Sequence, residues 1–216
     1  VRVRLSTAVE RSTAGTPLLD VTVEWEYTTV PSGSERRFAC VSDRVEYNAL
    51  VMDTPITTTW LMTPRPGMDA ASRRCFEVLS FTIDGEEMPI RRTEHEGGQT
   101  YTVDTSVAAA AGSPVRIRHV YRTVTPAWGH RIYVELPQPA RGFSFDLDYT
   151  NTGIYSISVT DMAANGRPAQ IVPSPKQAAG RTLSLRVPGW LLSKSGFAIV
   201  WTLEDELPQS GRSEAA

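Results

Sequence analysis

The fold is decided in residues 114–151, which read PVRIRHVYRTVTPAWGHRIYVELPQPARGFSFDLDYTN. Polar and apolar residues alternate along three segments of this stretch, and a period of two is typical of β-strands that bury one face. In the first segment Val115, Ile117, His119 and Tyr121 share one face, and Arg116, Arg118, Val120 and Arg122 share the other. The stretch therefore predicts a meander of three antiparallel strands with an apolar face and a charged face.

The charged face of this meander has two interpretations. The second segment adds Arg131, Tyr133 and Glu135 to it, and the third adds Ser144, Asp146 and Asp148. In the structural interpretation, which the near balance of charges favours, arginines pair with aspartates across strands at about 0.2–1 kcal/mol per pair. In the functional interpretation Arg116, Arg118 and Arg122, with Arg131 and His130 beside them, bind a phosphate or carboxylate through forked donors.

Alternation of the same period continues through the rest of the chain, in short runs rich in β-branched and aromatic residues. The predicted strands are residues 1–6, 18–29, 36–41, 57–62, 76–83, 88–93, 99–104, 115–124, 131–136, 143–149, 154–160, 182–187 and 196–203. Asp84-Gly85 and Gly97-Gly98 are typical of hairpin turns. Together these features predict an all-β fold, an antiparallel β-sandwich built as one large or two small Ig-like or jelly-roll-like halves.

One or two short helices complete the predicted architecture. A helix is expected over residues 42–52, because Ser42 is a suitable N-cap and acidic residues follow it near the positive end of the helix dipole. A second helical turn is expected near DMAANG, residues 161–166.

The chain is expected to divide near its middle. The segment TSVAAAAGSP, residues 105–114, ends regular structure and is interpreted as a connection. We therefore expect an N-terminal β-rich half over 1–110, a C-terminal antiparallel half over 111–206 and a flexible tail over 207–216.

Composition excludes several classes of protein. The 216 residues are 41% hydrophobic with a formal net charge of −2, which gives no basic field for extended nucleic acid. No apolar run approaches the roughly 18–20 residues of a membrane-spanning helix. Only Lys176 and Lys194 are lysines among 22 basic residues, and this arginine-rich composition indicates a GC-rich bacterial genome. No leader is visible in VRVRLSTAVE, so a bacterial cytoplasmic location is predicted.

The motifs of common catalytic sites are missing from the sequence. His95, His119 and His130 lack the spacing of a zinc site, and the G-x-S-x-G and GxxxxGK motifs do not occur. Cys40 and Cys75 are too few for a disulfide framework, and neither lies in a pattern that would activate a thiol. The sequence thus predicts no catalytic residues, no metal and no cofactor, and an enzyme is the less favoured reading.

Aromatic residues offer a second kind of candidate site. Trp25 and Trp201 alternate with apolar neighbours and are expected in the core, whereas the position of Trp60 fits either core or surface. Trp128 and Trp190 lie in turn contexts, where an exposed ring can stack on a ligand. His119 is expected in the core, and His130 is expected in an exposed loop.

The stretch VPGWLLSKSGFAIVW, residues 187–201, is predicted to be a hairpin with a long loop. Trp190, Leu191 and Leu192 have room there to fold back over the open end of a sandwich. They form a plug if the chain acts alone, and a docking surface only if a partner covers them, because a free monomer seldom exposes such a patch.

These observations favour a non-catalytic recognition module of a larger bacterial cytoplasmic protein. It would sense a small, anionic, nucleotide-like ligand through Arg116, Arg118, Arg122, Trp128, His130 and Arg131, or dock a partner domain through Trp190, Leu191 and Leu192. One alternative is a structural subunit that assembles through edge strands and apolar loop tips. The other is a carbohydrate-binding or carbohydrate-active domain that uses Trp128 or Trp190.

Overall fold

The computed structural model describes residues 1–8, 17–53, 56–162, 169–175 and 178–208. The chain forms two compact units: unit 1 comprises Val1–Val3 and Val21–Val124, and unit 2 comprises Arg4–Asp20 and Thr125–Ala216. Strands make up 60% of the structure and are accompanied by two short α-helices, so the predicted all-β fold class is confirmed. The predicted division at residues 110 and 111 lies inside unit 1.

Fifteen strands occur in the described residues. They are β1 (Arg2–Thr7), β2 (Leu18–Thr29), β3 (Glu35–Val41), β4 (Thr57–Leu61), β5 (Phe76–Ile83), β6 (Glu86–Glu87), β7 (Ile90–His95), β8 (Gly98–Asp104), β9 (Val115–Pro126), β10 (Arg131–Glu135), β11 (Ala140–Asn151), β12 (Ile154–Asp161), β13 (Gln170–Pro173), β14 (Thr182–Leu191) and β15 (Gly196–Leu203). The helices are α1 (Arg44–Val51) and α2 (Ser106–Ala111), and 3-10 turns form at Ala127–Gly129 and Glu204–Glu206. Each predicted strand overlaps an observed one, whereas β6 and β13 were not predicted.

Unit 1 is built on two sheets. In one, β9 pairs antiparallel with β5, and β5 continues into β6. In the other, the strand order is β4-β3-β8-β7, in which the pair β3 and β4 is parallel and the other pairs are antiparallel. Phe38, Phe76 and Phe81 are completely buried in this unit.

Unit 2 contains two antiparallel sheets that pack face to face. One has the order β13-β14-β11, and the other has the order β10-β15-β12. Phe143 of β11 stacks on Phe197 of β15 with 5.8 Å between ring centroids. Alternate residues of the two sheets, among them Phe145, Leu185 and Ile199, are buried between them, as in a sandwich.

One predicted hairpin turn is present as expected, and the other is shifted by one residue from Gly97-Gly98. Asp84 and Gly85 join β5 to β6 and have positive φ angles of 51° and 91°, as a two-residue turn of mirror-image type requires. The turn between β7 and β8 consists of Glu96 and Gly97, because His95 pairs with Gly98. Gly97 has a φ of 75°, so its lack of a side chain is used here.

The predicted three-strand meander is wrong. The strands β10 and β11 follow β9 in the chain, but β10 pairs with β15 and β11 pairs with β14. The alternation of each strand was correct, since Val134, Phe143 and Phe145 are buried. Alternation identifies the face that a strand buries, but it does not identify the neighbour to which the strand bonds.

The predicted hairpin over residues 187–201 is also wrong, because β14 and β15 belong to different sheets. β14 extends to Leu191, and residues 192–195 carry the chain from one sheet to the other. Lys194 donates from its backbone N–H to the carbonyl of Leu136 at 2.9 Å, and Leu136 donates to the carbonyl of Ser195 at 2.9 Å. This connection is therefore a short arch and not the long hairpin loop expected.

The helix predictions were partly correct. α1 lies within residues 42–52, but its N-cap is Asp43, whose carboxylate accepts from the backbone N–H of Glu46 at 2.7 Å, and not Ser42. Residues 105–114 contain α2, which is capped at its C-terminus by Gly112 with a φ of 62°, so they are not the irregular connection expected. The alanines favour this helix, and the following glycine stops it. The predicted turn near DMAANG and the tail lie largely outside the described residues, which omit 163–168 and 209–216.

Candidate functional site

The arginines of β9 are paired with glutamates. Arg116 donates to Glu26 at 2.6 Å, Arg118 to Glu24 at 3.0 Å, and Arg122 to Glu77 at 3.0 Å. The hydrogen bond from Arg118 lowers the pKa of the Glu24 carboxyl. The structural interpretation was therefore right about ion pairing, although the acids lie on β2 and β5. An anion bound at these arginines would compete with a glutamate at each one.

Asp146 and Asp148, the partners expected for those arginines, have other partners in unit 2. Asp146 accepts from the Ser184 hydroxyl at 2.7 Å and from Arg186 at 3.0 Å. Burial acts to raise the pKa of Asp146, but these two hydrogen bonds outweigh it and the pKa is lowered. Asp148 accepts from the hydroxyl of Thr150 at 2.7 Å, and the bonds from Thr150 lower its pKa as well. The predicted pairing of arginines with aspartates across a meander is thus wrong.

His119 lies in an aromatic cluster within unit 1, as predicted for a core histidine. Its ring is 4.9 Å from that of Phe38 and stacks on Phe81 at 6.0 Å, and only 4% of the residue is exposed. Burial, followed by the nearby charge of Arg36, lowers its pKa to about 3, so the ring is neutral in the folded protein. Among the described residues, its Nδ1 has no hydrogen-bond partner.

The two tryptophans of unit 1 border this cluster. Trp60 packs against Phe76 at 4.5 Å and Tyr121 at 4.7 Å, which places it with the core aromatics. Trp25 stacks on His119 at 6.4 Å and is half-buried, so it is less enclosed than its alternation predicts. Burial raises the pKa of Tyr121 to about 12, against hydrogen bonds from Trp25 and Trp60. Neither tryptophan lies among the large hydrophobic residues that are exposed.

The loop from Trp128 to Arg131 lies in unit 2 and is held by its own contacts. Trp128 is 41% exposed. His130 has its Nδ1 3.1 Å from the carbonyl oxygen of Trp201 and its Nε2 3.0 Å from a carboxylate oxygen of Glu206. The Arg131 guanidinium lies over the Tyr133 ring at 5.7 Å. Arg116, Arg118 and Arg122 belong to unit 1, so the six predicted ligand residues do not come together within one unit.

The three residues at the end of β14 separate into two environments. Leu191 is completely buried, whereas Trp190 is 66% exposed and Leu192 is 62% exposed. Leu191 points inward because it continues the alternation of the strand, and its neighbours on either side must then point outward. The plug in this region is therefore Leu191 alone, and Trp190 and Leu192 are available for contact.

A β-bulge opens the sheet next to Trp190. Arg141 pairs with Trp190, but the next pair is Phe143 with Val187, so Gly142 on β11 lies opposite two residues of β14. Those two are Pro188, which has no N–H for the ladder, and Gly189. Gly142 and Gly189 have φ angles of 74° and 95°, which side chains rarely adopt. Beside the bulge lies a shallow depression of about 310 Å³, lined by residues that include Gly142, Phe143, Gln170, Val187 and Pro188.

Two basic residues, Arg141 and Lys194, lie at this end of unit 2. Arg141 is exposed, and it has no ion pair among the described residues. Lys194 pairs with Glu135 at 3.3 Å, and both of these side chains are more than half exposed. We call the surface formed by Arg141, Pro188, Trp190, Leu192 and Lys194 the Trp190 end. Sequence reasoning missed Arg141 and Pro188, although glycine at 142 and Pro-Gly at 188–189 are signals of an irregular strand pair.

Metal-binding clusters and cysteine thiols are the remaining candidates in the described part of the chain. No group of three or more histidines, cysteines or acids there could hold a metal ion. Cys40 and Cys75 are free and buried, and burial, with a smaller effect of Cys75, raises the pKa of the Cys40 thiol to about 12. Within the described ranges, no helix is long and apolar enough to cross a membrane.

Comparison with known proteins identifies no family. No family model matches the chain, and no curated protein matches it. Among solved structures, a candidate protease from Parabacteroides distasonis has a TM-score of 0.45 and 8% identity, over 94% of this chain and 40% of that one. A candidate nutrient-binding protein from Legionella pneumophila has a TM-score of 0.36 and 10% identity, over 92% of this chain and 65% of that one. The chain spans less than two thirds of the length of either structure, and similarity this weak assigns no activity.

Proposed function

We propose that this chain is a non-catalytic recognition module that docks a protein partner through the Trp190 end. The observation that carries the proposal is the exposure of Trp190 and Leu192, at 66% and 62%, on either side of the buried Leu191. The fold supports Leu191, and it leaves the two flanking side chains in water. Two large apolar side chains exposed together are typical of an interaction site.

The composition of the Trp190 end supports contact with a protein. Tryptophan and arginine are enriched among the residues that dominate binding energy at protein interfaces. Trp190 and Arg141 are direct cross-strand partners, so a single partner segment can contact both. The ring is also carried by a strand rather than by a long loop, and little conformational freedom is lost on binding.

The sequence also suggests a module that senses an anion, but the observed ion pairs of the β9 arginines favour docking. Arg116, Arg118 and Arg122 are each bound to a glutamate, whereas Arg141 is not bound to an acid in the described part of the chain. The proposed partner is another domain of the same polypeptide or a separate protein. The proposed setting is the bacterial cytoplasm, and the arginine-rich composition supports the bacterial part of this proposal.

Selection from a displayed library of random peptides tests the docking proposal. The chain and a Trp190→Ser/Leu192→Ser double variant are used in parallel as targets, and the variant keeps Leu191 and therefore the fold. We expect peptides that bind the chain and lose at least about tenfold in affinity for the double variant, which corresponds to about 1.4 kcal/mol. A matched Val172→Ser variant, changed at another exposed apolar residue of unit 2, should bind them normally.

Two results would overturn the proposal. One is the absence of any enriched peptide, and the other is a set of peptides that bind the chain and the double variant equally. In analytical ultracentrifugation the chain should remain monomeric. Self-association that the double variant abolishes would instead favour the structural-subunit alternative, in which the Trp190 end contacts a second copy.

A further inference from the structure

The depression beside the bulge and the unpaired Arg141 together indicate what kind of segment docks at the Trp190 end. This inference rests on the proposed function. We propose that the partner segment is acidic and apolar: one of its apolar side chains enters the depression at Gly142, and a neighbouring carboxylate pairs with Arg141. The two contacts lie on adjacent residues of β11 at the bulge, where the register between β11 and β14 shifts.

The depression is formed by missing side chains. A Cβ built on Gly142 or on Gly189 would meet nothing within 4 Å, so open space lies above both glycines. Phe143 and Val187, the next cross-strand pair, are buried and form apolar parts of its lining. Gln170, at the start of the edge strand β13, lines the depression as well. A volume of about 310 Å³ is large enough to admit an apolar side chain.

The charges around the depression specify an acid. Arg186 also lines it, but its guanidinium already donates to both carboxylate oxygens of Asp146, at 3.0 and 3.3 Å. The other terminal nitrogen of the Arg186 guanidinium donates to backbone carbonyls, among them that of Leu185 at 3.0 Å. Arg141 has no such partner in the described residues, so its donors remain to be satisfied when a partner excludes water. A carboxylate satisfies them with a forked, charge-assisted pair.

Other occupants fit this surface less well. A basic segment would be repelled by Arg141, and Lys194 is already paired with Glu135. A neutral apolar segment would cover Arg141 without giving it a partner, which is costly. A second copy of the chain in a twofold contact would bring the same surface to itself, and none of the five residues that define this surface is an acid.

The inference is tested on peptides recovered by the selection described above. We expect their sequences to be enriched in Asp or Glu next to an aliphatic or aromatic residue. Arg141→Glu should weaken their binding at least about tenfold, whereas Arg131→Glu, at an exposed arginine of β10, should leave it within about twofold. Selection against the Arg141→Glu variant should in turn recover peptides with Lys or Arg at the acidic position.

A second pair of variants tests the depression independently of charge. Gln170→Trp places a ring over it and should weaken binding by a similar factor. Val172→Trp, two residues further along the same strand, adds the same ring away from the lining and should not weaken it. Circular dichroism checks that each variant is folded. If Gln170→Trp does not fold, the result with Arg141→Glu alone decides whether the inference holds.

The outcomes separate this inference from the docking proposal. Peptides that need Trp190 and Leu192 but tolerate Arg141→Glu and Gln170→Trp would overturn the acidic, anchored segment and leave docking standing. Peptides that tolerate the loss of Trp190 and Leu192 would overturn both. Binding that falls with Arg141→Glu and recovers with basic peptides supports the inference directly.

Discussion

The aromatic cluster around His119 in unit 1 and the Trp190 end of unit 2 place similar residues in opposite environments. In unit 1 Phe38, Phe81 and His119 are enclosed by one another, and the arginines of β9 are each bound to a glutamate. In unit 2 a tryptophan and a leucine project into water beside an arginine that has no acid among the described residues. The first arrangement serves stability, and the second leaves binding groups unused. Each prediction below tests one side of that contrast.

Truncation inside the aromatic cluster should have the largest effect on folding. Phe81 is completely buried, stacked on His119 at 6.0 Å and in edge contact with Phe38 at 6.1 Å. Phe81→Ala removes these contacts and leaves a cavity, so urea unfolding should show a loss of about 3–5 kcal/mol. Leu79→Ala, on the same strand but 46% exposed, is the control and should cost less than about 1 kcal/mol. Equal losses would show that the cluster does not dominate this strand.

Truncation of Leu191 should have the second-largest effect on folding. It tests whether Leu191 is the buried residue of this stretch and Leu192 the exposed one. Leu191 is completely buried, so Leu191→Ala should destabilise the chain by about 2–5 kcal/mol in the same assay. Leu192→Ala removes the same atoms one residue later, where the side chain is exposed, and should cost about 0.5 kcal/mol or less. A reversal of the two values would mean that Leu192 is the plug.

His119 should make folding sensitive to acid. Its pKa is lowered from 6.5 to about 3 in the folded state, so the folded chain binds fewer protons than the unfolded chain between those values. Its contribution is therefore fully present above about pH 6.5 and is lost as the pH falls toward 3. Between about pH 7 and pH 4 it should cost on the order of 3 kcal/mol.

The matched variants for this effect are His119→Phe and His95→Gln. Urea unfolding at the two pH values should show that His119→Phe loses less stability on acidification than the unmodified chain does. His95→Gln, at the exposed histidine of unit 1, removes an ion pair with Glu46 at 3.3 Å and should lose at least as much stability on acidification as the unmodified chain. The comparison uses the difference between pH values, so it holds even if the phenylalanine itself changes the stability at neutral pH. An unchanged pH dependence in His119→Phe would contradict a neutral, enclosed ring.

The local part of this contrast could be predicted from sequence, and the long-range part could not. The alternation of Val115, Ile117, His119 and Tyr121 identified a buried face correctly, because that pattern is set by the strand itself. The acids that bind Arg116 and Arg118 lie 90 and 94 residues away, and no local spacing indicates them. Strand positions depend on the same local pattern, and most were located correctly. Strand neighbours depend on long-range contacts, and β10 and β11 were therefore assigned to the wrong ones.

Residues 190–192 show, within one short stretch, the same limit of prediction from sequence. Sequence placed Trp190, Leu191 and Leu192 together as a plug or a docking surface, because all three are large and apolar. The extension of β14 through Leu191 separates them, since alternate residues of a strand face opposite sides. Arg141 joins the surface only through the pairing of β11 with β14, which is a contact over nearly fifty positions.

The ion pair between Arg118 and Glu24 should have a small effect, measurable as a coupling. A double-mutant cycle with Arg118→Met and Glu24→Gln should give about 0.5–1 kcal/mol, reduced at high salt because both groups are partly exposed. The pKa of Glu24 is lowered by Arg118, so this coupling is present above the ordinary range of the carboxyl and is lost as the pH falls through the lowered value. If phosphate stabilised the chain but not Arg118→Met, the arginines of β9 would be an anion site after all.

Trp190→Ala should have the smallest effect on stability, and it is the prediction on which the contrast depends most. A tryptophan that closed the open end of a sandwich would cost about 3–5 kcal/mol when truncated, as a buried aromatic does. With 66% of Trp190 exposed, we expect a change within about 0.5 kcal/mol by urea unfolding. A loss as large as that of Leu191→Ala would make Trp190 a structural residue and remove the basis for docking. A negligible loss combined with lost peptide binding would show that the fold carries this ring for contact with another molecule, because folding itself then gains nothing from it.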